Sequence, residues 1–198
     1  MGGFVLTRKE QAEQTKNKLL QIATDLIREK GYDQVKLTDI CKEAGVSIGA
    51  FYHHFKNKAD IVQELYAQCD DVFEKEVYPL FEKRTDIDAV MDYLACQMDY
   101  GEAFGIDMVT QVYKAQMTDG TEFFLSMDRG LPKGLVSILM HLQDFNVVKK
   151  NTCPEEIAKE LLIISRGVLY NWCQCRGNYN LKDMNRKIIS NYMKNYEA

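Results

Sequence analysis

Three prolines, three histidines and one tryptophan in 198 residues leave this chain short of several common signatures. So few prolines allow helix almost anywhere, and no stretch alternates apolar with polar residues as a half-buried strand would. No apolar run approaches the roughly 20 residues that a membrane span needs. The front shows no basic segment followed by an apolar core, so no secretory leader is expected. Met1, Gly2 and Gly3 miss the myristoylation pattern because Leu6 stands where a hydroxyl residue is required. A cytoplasmic location without a membrane partner follows as an expectation. The chain also shows no nucleophile elbow, phosphate-binding glycine loop or zinc spacing, and its histidines are His53, His54 and His141. No enzyme, cofactor or metal is therefore expected.

Six cysteines, Cys41, Cys69, Cys96, Cys153, Cys173 and Cys175, are scattered mostly among apolar neighbours and read as buried thiols rather than a disulfide framework. Cys173 and Cys175 are two apart and would point to different faces of a helix, which argues against a redox or metal pair. The net charge is −4. It is unevenly placed: residues 1 to 60 hold ten Lys and Arg against eight Asp and Glu, the remainder fifteen against twenty-one. A slightly positive front on an acidic body limits nonspecific attraction to nucleic acid.

Against these absences stands one dense segment, Leu37 to Lys58, reading LTDICKEAGVSIGAFYHHFKNK. Leu37, Ile40, Cys41 and Ala44 fall at i, i+3, i+4 and i+7, giving a two-turn helix one apolar stripe. Gly45 can take the left-handed conformation that reverses the chain. Val46 is suited to plug the angle, and Ser47 to cap a second helix from about Ile48 to His54. Two short helices over a glycine turn form a helix-turn-helix, whose second helix enters the major groove of DNA. Gly49 and Ala50 keep its first turn small enough to approach base edges and phosphates. Phe51 and Phe55 anchor its inner face, Tyr52, His53 and His54 offer polar groups to DNA, and Lys58 opens the next helix with a charge suited to a phosphate.

The run AGVSIGAFYHHFKNK resembles the signature of the TetR family of transcriptional regulators, over roughly residues 16 to 62. The resemblance implies an all-α homodimer with an amino-terminal three-helix DNA-binding domain and a larger carboxy-terminal domain for effector binding and dimerisation. It implies DNA contacts from Thr38, Ser47, Ile48, Gly49, Ala50, Tyr52, His53, His54 and Lys58. Two departures stand out. Val35, Lys36 and Leu37 occupy the stretch where the family usually places a Ser or Thr cap, leaving Lys36 to reach a phosphate. Ile48 stands where a polar or basic residue is common, so shape and a thymine methyl become the readable features.

The domain division expected is 1–56 for DNA binding and 57–198 for ligand binding and dimerisation. A first helix runs from about Arg8 to Lys30, with Leu19, Ile22, Ala23, Leu26 and Ile27 on one face and Gly31 as its stop. A connecting helix runs from Asn57 to about Val77. Further helices are expected over Asp86 to Glu102, Ile106 to Met117, Thr121 to Asp128, Pro132 to Gln143, Pro154 to Cys175 and Leu181 to Tyr196. Between Ile157 and Trp172 apolar residues nearly surround the helix, which calls for a partner on its outer face. A second subunit would supply it through Leu161, Ile164, Val168, Ile188 and Tyr192. A single central core helix satisfies the same periodicity.

Large adaptable side chains between Tyr93 and Phe124 suggest an apolar effector pocket: Tyr93, Met98, Tyr100, Phe104, Met108, Tyr113, Met117, Phe123 and Phe124, joined by Trp172, with Asp107, Gln111 and Tyr113 as polar groups to orient a ligand. Ordinary core packing is the bland alternative for the same pattern. An aromatic or lipophilic small molecule suits such a pocket better than a sugar phosphate. The expected activity is that of a repressor that binds a pseudo-palindromic double-stranded operator as a dimer and releases it on binding effector. A protein-interaction bundle is the competing class, and it predicts no salt-dependent DNA binding.

Overall fold

The computed structural model describes residues 7–118 and 122–198. The chain forms two compact units, one ending at Leu65 and the other spanning Tyr66–Ala198. Among the described residues the regular elements are helical, and none of the helices is long and apolar enough to cross a membrane. The amino-terminal pattern Met1 to Leu6 lies outside the described residues.

The first unit is built on α1 (Arg8–Lys30), whose start is fixed by a reciprocal box. Glu10 N–H donates to Thr7 Oγ1 at 3.3 Å, and Thr7 N–H donates to Glu10 Oε2 at 2.7 Å. Leu19, Leu20, Ala23 and Ile27 are buried, while Ile22 and Leu26 are half-buried at the edge of the same stripe. Gly31 ends the helix at φ 81°, ψ 150°, a conformation open to glycine alone at little cost. Against α1 pack α2 (Leu37–Ala44) and α3 (Ile48–Tyr52), and α4 (Lys58–Val72) adds Ile61 and Val62 to the core. Lys16 Nζ meets Glu64 Oε1 at 2.5 Å, joining α1 to α4.

In the second unit α4 continues as a wider π turn (Phe73–Val77) and a 3₁₀ turn (Tyr78–Leu80) that carries Pro79. There follow α5 (Asp88–Thr118), α6 (Gly130–Asp144), α7 (Pro154–Gln174) and α8 (Leu181–Met193). Gly105, at φ 80° and ψ 160°, breaks α5 into two helices end to end, as the separate patterns before and after it require. The expected helix from Thr121 to Asp128 is not formed. Thr121 lies outside the described residues, and only a 3₁₀ turn at Glu122–Phe124 follows. The segment after it is a turn that leads into Gly130. There α6 approaches α4 so closely that a Cβ on Gly130 would fall on the carbonyl oxygen of Asp70.

The core runs through Val90, Leu94, Leu135, Ile138, Leu139, Leu161 and Ile189, with a second cluster around Met98, Val109, Leu169, Trp172 and Leu181. A charge network pins the start of α5 to α8. Arg84 bonds Asp86 and Asp92, and Arg186 bonds Asp92 and Asp88.

Candidate functional site

Gly45 takes φ 67°, ψ 31°, and Val46 N–H donates back to Cys41 O at 3.0 Å, so α2 closes on a left-handed glycine with its last carbonyls satisfied. The missing Ser or Thr cap at the front of α2 is partly replaced by Asp39, whose Oδ2 accepts from Lys36 N–H at 3.0 Å. This leaves the Lys36 side chain unused by the cap and the residue exposed. Ser47 Oγ accepts from Ala50 N–H at 3.1 Å and opens α3. That helix has five residues, shorter than the expected Ile48 to His54. His53 and His54 sit in the turn that ends it, and no side chain there caps the last carbonyls.

A helix this short is not stable alone; burial holds it. Phe51 and Phe55 are both buried, with ring centroids 5.4 Å apart, and Tyr52 stacks edge-on against Phe51 at 5.7 Å. The opposite face carries Ser47, Ile48, Gly49, Tyr52 and His53, all exposed, with Thr38 and Lys36 exposed on α2. Ile48 is 46% and Tyr52 58% exposed, although both are large and apolar for most of their surface. Ala50 and His54 are half-buried.

Lys58 has a different setting from the one its position suggested. Its Nζ donates to the carbonyl oxygens of Tyr32 and Val35, the latter at 2.8 Å, and lies 3.9 Å above the Tyr32 ring. Burial depresses its pKa, partly offset by Asp33. Two of its three donors thus hold the turn before α2, leaving one for a phosphate.

In the second unit a cavity of about 430 Å³, its open mouth included, is lined by α4, α5, α6 and α7. Four rings, Tyr66, Phe73, Tyr100 and Phe104, form its walls together with Val109, Leu131 and Leu169. Asp70, Arg129 and Gln97 are its charged and amide groups, and Cys69 and the two tyrosines add a thiol and hydroxyls. Arg129 Nε and Nη2 bond Asp70 at 2.7 and 3.0 Å, and Nη1 donates to Phe123 O at 2.6 Å. The guanidinium also lies 3.4 Å over the Phe123 ring. Burial pushes the Tyr66 hydroxyl and the Cys69 thiol each up to about 12, so neither ionises near neutrality.

Of the residues expected to bind effector, Tyr100 and Phe104 line this cavity. Tyr93 is sealed in the core, its hydroxyl donating to Leu131 O at 3.1 Å. Met98, Met108 and Trp172 are buried likewise, because their helical positions face neighbouring helices. Tyr113 donates to Arg166 O at 2.6 Å, and its ring meets Phe124 at 5.4 Å. Phe124 in turn meets Tyr66 at 5.6 Å, so these two extend the aromatic wall from behind. Gln111 is half-buried and outside the lining. Sequence reasoning missed Gln97, Asp70 and Arg129. Gln97 alone left a signal, as a polar residue on the stripe of Val90, Leu94 and Gly101, whereas Asp70 and Arg129 are 59 positions apart.

The expected dimer residues also divide. Leu161 and Val168 are buried on the inward face of α7, a correction that follows from helical spacing with Ser165 and Trp172. Ile164 and Tyr192 are half-buried, and Tyr192 and Tyr196 both bond Glu160. The outward stripe of α7 is instead Ile163, 68% exposed, with Gly167 and Tyr170. Ile188 is exposed on α8. Among the described residues no cluster of His, Cys, Asp and Glu is arranged to hold a metal.

A capped helix pair supported by α1, followed along the chain by a helical unit with an apolar cavity, is the arrangement of a helix-turn-helix domain joined to a second helical domain. The family described as bacterial regulatory proteins, tetR family, matches residues 19–65. The match places a TetR-family segment in the amino-terminal unit. It is 38% identical over 58 residues to the HTH-type transcriptional regulator AcrR of Shigella flexneri. That stretch is 29% of this chain and spans only 27% of AcrR's length. The whole fold is similar to a TetR-family transcriptional regulator of Pectobacterium atrosepticum, with TM-score 0.74, 16% identity and 98% of each chain covered. It is also similar to Thermus thermophilus FadR, a repressor solved with lauroyl-CoA. There the TM-score is 0.71 and the identity 18%, over 90% of this chain and 93% of that one.

Proposed function

We propose that this protein is a ligand-responsive transcriptional repressor that binds a pseudo-palindromic DNA operator as a homodimer. The observation that carries this reading is the face of α3: Phe51, with Phe55 just beyond the helix, is buried, while Ile48, Gly49, Tyr52 and His53 stand exposed, Tyr52 touching the core only edge-on against Phe51. The backbone of Gly49 can come close to a phosphate or base edge, since the nearest atom to a Cβ there would be Ser47 Oγ at 3.8 Å. Ser47 to Ala50, Tyr52, His53 and His54 form the DNA surface, joined by Thr38 and Lys36 from α2 and by the remaining donor of Lys58. Ile48 reads shape or a thymine methyl.

The homodimer is supported by the outer face of α7. Gly167 in mid-helix costs roughly 1 kcal/mol against Ala. A Cβ there would meet nothing within 4 Å in this chain, so its absence is explained by the close approach of a second subunit between Ile163 and Tyr170. Ile188 on α8, and Ile164 and Tyr192 beside these positions, complete that face. The effector enters the apolar cavity, and its affinity for free and DNA-bound dimer must differ by the factor through which it weakens DNA binding. FadR is solved with lauroyl-CoA, of which only the acyl chain is apolar, so that likeness supports an apolar lining and no more; the ring walls here favour an aromatic molecule.

Selection of bound sequences from a random DNA pool tests this function. An inverted repeat recovered by the native chain, lost on Tyr52→Ala and weakening steeply as salt rises, is the expected result. No enrichment from a folded protein would overturn it.

A further inference from the structure

Gln97 is 5% exposed, and neither its amide nitrogen nor its amide oxygen has a hydrogen-bond partner in the protein. It lines the aromatic cavity. An unpaired amide in such a place is costly, because each orphaned group has left water with nothing in return, and a chain keeps one where something completes it. The charged lining groups are already engaged with one another: each guanidinium nitrogen of Arg129 bonds Asp70 or Phe123 O, and Asp70 is neutralised by that same pair. The cavity therefore contributes no net charge. On the planar amide of Gln97 it holds unpaired N–H donors and an unpaired carbonyl acceptor, side by side between rings.

We infer that the cavity takes a neutral, flat, largely aromatic ligand carrying an adjacent donor and acceptor, a carboxamide or lactam, which the Gln97 amide reads by two hydrogen bonds. This rests on the proposed effector role of the second unit and narrows the effector's chemistry. An anion such as a carboxylate is disfavoured: it would leave water for apolar walls and find no unengaged cation in the lining. An acceptor-only ligand leaves the Gln97 oxygen facing a lone pair or nothing. The rings of Tyr66, Phe73, Tyr100 and Phe104 supply the flat contact surface, and the hydroxyl of Tyr66, un-ionised near neutrality, adds no charge.

Three matched probes separate these chemistries: 2-naphthamide, with donor and acceptor; 2-acetonaphthone, with acceptor only; and 2-naphthoate, an anion. Titration calorimetry on the full chain should give 2-naphthamide at least about tenfold tighter binding than 2-acetonaphthone, and 2-naphthoate the weakest. In Gln97→Leu, and in Gln97→Met of matching length, the preference for the amide should disappear. Both unliganded variants should melt above the native chain, since an orphaned polar group has been replaced by an apolar one. Equal binding of all three probes, binding of none, an amide preference that survives both substitutions, or a lowered melting point in both variants would each overturn the inference. The selected operator reports on the regulator reading separately, so a native chain that binds DNA and fails these tests loses only the ligand class.

Discussion

Lys58 shows how far one side chain can depart from the role its position suggests. Its ammonium holds the carbonyl oxygens of Tyr32 and Val35, two groups in the turn that sets where α2 begins. Lys58→Met keeps the stem and removes the charge, so it should lower the stability of the first unit by about 1–3 kcal/mol, measured by urea unfolding. If the third donor also contacts a phosphate, the slope of log affinity against log salt should fall by about 1 on the same substitution. An unchanged slope with lost stability would assign Lys58 wholly to positioning. Gln97 is the complementary case at this scale: its place on an apolar stripe was visible in the sequence, but its lack of a partner was not, because that depends on which helices face it.

Glycines control the joins between elements, and three of them do so for different reasons. Gly45 needs its left-handed φ, yet a Cβ there would meet nothing within 4 Å. Gly45→Ala should therefore cost only about 1 kcal/mol, the strain of the left-handed conformation less the entropy removed from the unfolded chain. Gly130 has no such conformational demand, but its Cβ would strike the backbone of Asp70. Backbone cannot swing aside as a side chain can. Gly130→Ala should cost upwards of about 2 kcal/mol and disturb the Arg129–Asp70 pair beside it. Chemical denaturation of the two variants in parallel checks the order, and a larger loss at Gly45 would contradict it. Gly105 is the third kind, visible in advance as a break in the apolar pattern and realised as a kink inside α5.

For the whole molecule, the outer and inner faces of α7 should separate cleanly under mutation. Leu161→Ala opens a cavity in the core and should cost about 2–5 kcal/mol. Ile163→Asp touches nothing buried in this chain, so it should leave the unfolding of the monomer nearly unchanged while shifting sedimentation from dimer to monomer. Loss of fold in place of loss of dimer on Ile163→Asp would argue against the proposed interface. Acid stability should depend on the Arg84 network. The Arg84 hydrogen bond holds Asp86 below the usual carboxylate range. At Asp92 burial raises the pKa, and the bonds from Arg84 and Arg186 outweigh it to leave it lowered. A carboxylate with a depressed folded pKa contributes stability above its unfolded value of about 3.9, and that contribution is lost as pH falls through the folded value. Arg84→Gln should therefore lower the urea midpoint at about pH 7, with the difference shrinking as pH falls through the lowered folded values of Asp86 and Asp92. The effect will be modest because these groups are partly solvated.

The sequence by itself determined the helical class and most helix boundaries. Capping residues, glycines and 3.6-residue periodicity are local signals, and local geometry decides them: α1 spans Arg8–Lys30 as the Thr7 side, the apolar stripe and Gly31 require. It also determined the helix-turn-helix motif, because Gly45, Ser47, Phe51 and Phe55 sit within eleven residues of one another and each acts through near neighbours. Only the tertiary structure decided where the cavity lies. Met98, Met108 and Trp172 have the size and spacing of pocket residues, yet the packing of α5 against α7 and α8 buries them. Asp70, Gln97, Arg129 and Leu169 meet across long sequence separations that no periodicity encodes. The face of α7 was likewise undecided, since a helix apolar on most sides carries no mark of which side is inward until its neighbours are placed.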